Sequence, residues 1–161
     1  MERLWTPWRS EYVTKTGDPA DCFLCEYLAH PEGEAAELTL RRSDRTFVVL
    51  NKFPYNTGHL VIAPHRHVGD LGDLSPEERS ELMEETNRAI HAVKRAMRPH
   101  GFNVGMNLGP VAGAGLPDHV HVHVVPRWGG DTNFMPVLGG TKVLPESLDQ
   151  TAARLRPLLA D

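Results

Sequence analysis

Seven consecutive residues, His119-Val120-His121-Val122-His123-Val124-Val125, alternate imidazole with valine before closing on two valines. Strict period-two alternation predicts a half-buried strand, with the valines on the core side and all three imidazoles on the other face. Side chains at i and i+2 on a strand stand about 7 Å apart, so one phosphate or one metal ion can meet more than one of them. Histidine is not a favoured strand former, and three in register add nothing to packing. The run therefore constrains fold and chemistry together.

The rest of the chain supplies partners for that strand. Short apolar runs at residues 37–41, 47–50 and 59–63, bounded by Asp44, Asn56-Thr57-Gly58 and Pro64, predict an antiparallel meander. Residues 102–108 and 119–125 add two more strands, joined by the glycine-rich loop 109–118. Between the two groups, Ser75-Pro76-Glu77-Glu78 is a capping box with proline at the first helical position. A long helix follows on the stripe Leu82, Thr86, Ala89, Val93 and Ala96, joined by Met83, Ile90 and Met97, until Pro99 ends it. Residues 132–141 show no clear period. Residues 145–159 predict a closing helix, with Leu148, Ala152, Leu155 and Leu159 on one side. Strands grouped around one long helix predict an α+β domain with a roughly five-stranded antiparallel sheet. A length of 161 residues suits one domain, with a core at about 38–128, an N-terminal arm carrying the cysteine pair, and an extension over 129–161. The arm Leu4-Trp5-Thr6-Pro7-Trp8-Arg9 is aromatic and broken by proline, and is expected to lie on another surface, such as a partner subunit. Open sheet edges must be covered, and pairing across a two-fold axis as a homodimer is one common solution.

Charge and cysteine usage narrow the partners. A net charge of −4 gives no electrostatic basis for nucleic acid or an anionic membrane, so a small molecule is expected. No long apolar run and no signal-peptide pattern at Met1-Glu2-Arg3-Leu4-Trp5 point to the cytoplasm, where thiols stay reduced. The only cysteines, Cys22 and Cys25, then read as a metal half-site or a redox pair rather than a structural disulfide. A plain buried pair is the alternative.

The histidine run carries two chemical readings. In one, a neutral imidazole nitrogen attacks phosphorus to give a nucleotidyl-histidine, while neighbouring imidazoles steady the phosphate charge. In the other, the three histidines hold a metal and water is the nucleophile. The loop from Gly109 to Gly115 offers backbone amides to an anion and favours the phosphate reading.

The run fits the pattern His-φ-His-φ-His-φ-φ, with φ apolar, and the chain thereby resembles the histidine-triad (HIT) superfamily of nucleotidyl hydrolases and transferases. Phe47-Val48-Val49-Leu50-Asn51, Gly58-His59-Leu60-Val61-Ile62 and the glycine loop extend the likeness over about residues 38–128. The arm, together with residues 101–109 and Val125-Pro126-Arg127-Trp128-Gly129-Gly130-Asp131, is similar to bacterial diadenosine tetraphosphate phosphorylases. The resemblance implies a HIT-like fold and a catalytic set of His119, His121 and His123. His121 would be the nucleophile on the α-phosphorus, and His123 would meet the phosphate or leaving oxygen. It further implies a purine nucleotide site drawing on Asn51 at the ribose, Asn107 at the phosphate, His59, and the loop glycines Gly113 and Gly115. Phe47 and Val49 would line an adenosine slot, and Trp128 would cover the leaving nucleotide. Asn51 and Asn107 have the alternative of capping strand ends or turns.

The same resemblance completes the cysteine pair with His67 and His119, giving a closed structural zinc site of Cys22, Cys25, His67 and His119; His65 is the alternative ligand two residues earlier. No organic cofactor is implied. The loop from Gly113 to His119 is one residue longer than in typical HIT hydrolases and carries Gly115 and Asp118 where a Gln or Ser contact is usual. Phosphate grip there is expected from backbone amides. His123 at the third triad position matches hydrolase branches, where classical transferases carry Gln. Inorganic phosphate and water both stay open as acceptor, and a dinucleoside polyphosphate, an adenosine phosphoramidate and non-catalytic nucleotide binding all stay open as function.

Overall fold

The computed structural model describes residues 22–133, 135–139, 141 and 143–160. The arm at residues 4–9 lies outside them. The described elements run α1 (Phe23–Ala29), α2 (Glu34–Leu38), β1 (Thr39–Arg42), β2 (Thr46–Leu50), β3 (Leu60–Pro64), α3 (Pro76–Met97), β4 (Gly101–Gly105), β5 (Val122–Arg127), α4 (Met135–Gly139) and α5 (Leu148–Leu159). The five strands form one sheet in the order β1-β2-β3-β5-β4, and every neighbouring pair is antiparallel.

All five residues of β2 and of β3 are buried, so the two strands read as continuous apolar runs, covered on both faces. Phe47 and Val49, expected in an adenosine slot, are 0% and 1% exposed and belong to the core. α3 lies across the sheet. Its capping box is formed as expected: Ser75 Oγ accepts from Glu78 N, and Glu78 Oε2 accepts from Ser75 N. Leu82, Thr86, Ala89 and Val93 are buried, and Thr86 satisfies its hydroxyl on Leu82 O. Burying a leucine such as Leu82 contributes about 1.5–3 kcal/mol. Met83, expected beside that stripe, is 53% exposed because it sits one position past the buried face. Arg98 takes a left-handed turn at φ 50° and Pro99 stops the helix.

Three boundaries differ from the sequence reading. Glu37 and Leu38 close α2 instead of opening β1, and β4 spans residues 101–105 rather than 102–108. Most consequentially, β5 begins at Val122, so His119, Val120 and His121 precede the ladder. The cause lies in β3, which pairs through Ile62↔Val122 and then ends at Pro64, a residue with no N–H to give. Val120 N bonds Val68 O instead. α5 carries a second capping box, Ser147 with Gln150, and buries Ala152, Leu155 and Leu159.

Candidate active site and metal cluster

Because residues 119–121 leave the ladder, the three imidazoles do not stand as one set on one face. His119 is 0% exposed. Its Nε2 lies 2.9 Å from Pro64 O, and its Nδ1 lies 3.3 Å from Cys22 Sγ and 3.5 Å from Cys25 Sγ. A carbonyl only accepts, so Nε2 carries the proton and the Nδ1 lone pair faces the sulfurs. His67 Nδ1 lies 3.2 Å from Cys25 Sγ. One ligand atom from each of Cys22, Cys25, His67 and His119 falls within a group no more than 4.8 Å across.

Local sequence explains this convergence. Cys22 is the N-cap of α1 and Cys25 sits three residues on, so one helical turn brings the sulfurs together. The bond from Val120 N to Val68 O at 2.7 Å lays residues 65–69 beside residues 117–120, bringing His67 to His119. Gly69 permits that approach, since a Cβ there would stand 2.7 Å from Pro117 O and 3.1 Å from Asp118 Cα. His65 turns away and donates from Nε2 to Thr46 O.

The donor set fits a tetrahedral dication. Sulfur and nitrogen ligands at ordinary zinc distances stand about 3.6 Å apart, close to the 3.2–3.5 Å observed between sulfur and nitrogen. Burial pushes the Cys22 thiol up to about 12 against the Cys25 backbone N–H, which lowers it, with the Cys25 thiol adding to the rise, and burial pushes His119 down to about 4. A dication among these donors reverses the thiol preference and draws off the protons.

The second group is His121, His123 and His59. His121 Nδ1 lies 2.7 Å from the carbonyl of His119, so Nδ1 donates and Nε2 keeps its lone pair. Burial lowers the His121 pKa below 6.5 against that hydrogen bond, which keeps the ring neutral at neutral pH. The His121 and His123 rings meet edge to face at 4.7 Å. His59, 0% exposed, accepts from Tyr55 N at Nδ1 (3.1 Å), so its Nε2 carries the proton and donates to His123 Nδ1 at 3.0 Å. His123 is thereby left with its own proton on Nε2. A buried lone pair on His121 and an N–H on His123 are adjacent, as nucleophilic attack with a hydrogen bond to a departing oxyanion requires.

The other expected residues surround this pair unevenly. Asn51 stands beside His59, with Nδ2 3.3 Å from its Nδ1, while its Oδ1 accepts from Phe53 N. Asn107 closes the glycine loop by donating to Gly113 O, and Gly113 turns at φ 80°. Gly115 is half-buried and Ala114 is the loop's buried residue. Trp128 is half-buried, and its N–H bonds Asp131.

Two features were not anticipated. Tyr55 stacks on His59 at 4.8 Å and lies 6.0 Å from the His123 ring. Asp131 accepts from Arg127, Trp128 N and Asn56, tying the turn before His59 to the end of β5. The i, i+4 spacing of Arg127 and Asp131 was a usable signal for the second; nothing local marks Tyr55.

The HIT domain family model matches residues 32–130. The chain belongs to the HIT domain family. The matched HIT region begins after Cys22 and Cys25, so half of the metal cluster lies outside it. The chain is 45% identical over 157 residues to a Mycobacterium tuberculosis protein named AP-4-A phosphorylase, covering 94% of this chain and 80% of that one. It is 31% identical over 86 residues to the asymmetrical bis(5'-nucleosyl)-tetraphosphatase of Schizosaccharomyces pombe, covering 53% and 47%. Among solved structures, a zinc-bound histidine triad family protein from Mycobacterium smegmatis superposes with a TM-score of 0.70 at 23% identity, covering 89% and 96%, and shares the HIT fold of α and β elements.

Proposed function

We propose that this HIT protein cleaves diadenosine tetraphosphate by phosphorolysis, giving ADP and ATP through a nucleotidyl-histidine at His121. The observation that carries the chemistry is the 2.7 Å bond from His121 Nδ1 to the His119 carbonyl, which leaves the Nε2 lone pair as the nucleophile. The 45% identical relative, itself named AP-4-A phosphorylase, supports the choice of substrate and of phosphate as acceptor.

In the first half-reaction, the Nε2 lone pair of His121 forms a bond to the α-phosphorus. The bond from that phosphorus to the bridging oxygen breaks, and ATP departs as the anion, its leaving oxygen accepting a hydrogen bond from the His123 Nε2–H. In the second, an oxygen of the phosphate dianion attacks the same phosphorus, the nitrogen–phosphorus bond breaks and its electron pair returns to His121, while the His123 Nε2–H again hydrogen-bonds the phosphate oxygens. Asn107, Gly113 and Gly115 would hold the phosphates, and Asn51 the ribose. His59 fixes the His123 tautomer, and Trp128 would cover the leaving nucleotide. His119 has both ring nitrogens engaged at the cluster and at Pro64, so its part is to hold His121 through the backbone. The bond exchange needs no organic cofactor.

Cys22, Cys25, His67 and His119 would hold zinc as a closed structural site that fixes α1 beside the catalytic segment, a reading supported by the donor geometry and by the zinc-bound M. smegmatis relative. Reduced thiols suit a cytoplasmic protein, and among the described residues no helix is long and apolar enough to cross a membrane. Residues 1–161 would form one domain, paired as a homodimer through the edge strand β4, whose Val104 is 45% exposed. Light scattering on Val104→Arg checks the pairing: a dimer at the wild-type mass excludes that edge.

Incubation with diadenosine tetraphosphate, with and without inorganic phosphate, tests the reaction. ADP plus ATP formed only with phosphate, and lost in His121→Ala, is the expected result. ATP plus AMP in both conditions would make the chain a hydrolase.

A further inference from the structure

Tyr55 is 40% exposed, yet its ring is held in place. It stacks on His59 with ring centres 4.8 Å apart and planes 25° from parallel, and its backbone N–H bonds the same imidazole. His59 is wholly buried, and the tyrosine packed on it keeps two-fifths of its surface exposed. The Tyr55 ring also lies beside His123, ring centre to ring centre 6.0 Å. Phe53, two residues earlier in the same loop, is 65% exposed. Exposed aromatics next to a reactive imidazole are unusual on a water-facing surface and mark a place where something flat and apolar docks.

We infer that Tyr55 is the stacking platform for the nucleoside that departs, and so selects dinucleoside polyphosphates over nucleotides with small leaving groups. This rests on the phosphorolysis reading. In-line displacement sends the leaving oxygen away from His121 while the His123 N–H hydrogen-bonds it, and the part-exposed Tyr55 ring is next to His123. The polyphosphate linker is flexible and reaches the ring by folding back across His123. A purine matches the platform because its π-face stacks on an aromatic ring without needing a hydrogen-bond code. The stack on His59 holds the tyrosine ring before the base arrives, so little ordering is left for binding to impose.

The test compares two substrates that share the α-phosphorus and differ in leaving group: diadenosine tetraphosphate and adenosine 5′-phosphorimidazolide. Tyr55→Ala is expected to lower kcat/KM about 5- to 100-fold for the first and less than about twofold for the second, while Tyr55→Phe keeps both rates. Equal losses on the two substrates would reduce Tyr55 to a support for His59, and no loss on diadenosine tetraphosphate would remove the platform altogether. If the unsubstituted protein turns over neither substrate, the phosphorolysis reading fails, and equilibrium binding in a His121→Ala background still decides for Tyr55. There Tyr55→Ala should weaken diadenosine tetraphosphate about fivefold or more and leave AMP unchanged; parallel changes for the two ligands overturn the platform.

Discussion

The carbonyl of His119 accepts the Nδ1–H of His121 at 2.7 Å, while the ring of the same His119 is held between the Cys22 and Cys25 sulfurs and Pro64 O. One residue therefore belongs to the Cys22–Cys25–His67–His119 cluster through its side chain and to His121, the proposed nucleophile, through its backbone. Anything that loosens the cluster releases the bond that fixes the tautomer of His121.

Cys22→Ala should therefore act twice. Metal content, read by elemental analysis, should fall below one equivalent, and turnover should drop about 10- to 100-fold, the usual effect of losing a group that orients a reactive imidazole. Melting temperature should fall in parallel. Full metal content in Cys22→Ala would remove this cysteine from the ligand set.

The pH profile follows from burial. Desolvation lowers the His121 pKa below 6.5 and the His119 carbonyl only partly offsets it. Protonation, which removes the nucleophilic lone pair, thus occurs at lower pH than for a free imidazole. The acid limb of kcat/KM should lie below pH 6.5, with a near-flat rate from neutral pH down to that value. An acid limb above 6.5 would show that the titrating nucleophile is not buried His121.

Gly69 has no room for a side chain, because a Cβ would meet the backbone at Pro117 O, 2.7 Å away. Backbone cannot yield as a flexible side chain does. Gly69→Ala should cost about 1–3 kcal/mol and lower Tm by about 3–10 °C. It should also loosen metal binding, since it pushes His67 from His119. Calorimetry with a metal-release assay reads both, and unchanged release kinetics would uncouple this contact from the cluster.

Glu78 closes the α3 capping box and also takes two bonds from Arg66, next to the ligand His67. The Arg66 guanidinium and Ser75 N–H hold its carboxyl down to about 2, from 4.5. A depressed folded pKa gives stability that is complete above 4.5 and is lost as pH falls from 4.5 towards 2. Arg66 is half exposed, so solvent screening keeps the contribution of the pair small. Glu78→Gln should show a smaller acid loss than the wild-type chain over that window in urea titrations. Matching slopes would assign the acid transition to other carboxylates.

Much of this architecture was legible because its signals are local. The Ser75–Glu78 box announced α3, and the alternation ending at Val125 announced β5. Spacing marked Cys22 and Cys25 as a metal half-site or a redox pair, and the fold brings both beside His67 and His119. Local pattern misled where the tertiary partner ran out. Alternation extended β5 back to His119, but β3 ends at Pro64 and leaves residues 119–121 outside the ladder. Phe47 looked available to a ligand, yet β2 is covered on both faces.

Sequence by itself determined the α+β sheet order's raw material, the family pattern and the candidate site histidines, because periodicity, caps and residue chemistry are properties of short stretches of chain. Tertiary structure alone decided how the histidines divide: His119 to the sulfurs, His121 to the His119 carbonyl, and His123 to His59. It did so because tautomer and lone-pair direction are set by backbone carbonyls and N–H groups brought in from distant segments, and every residue carries those groups alike.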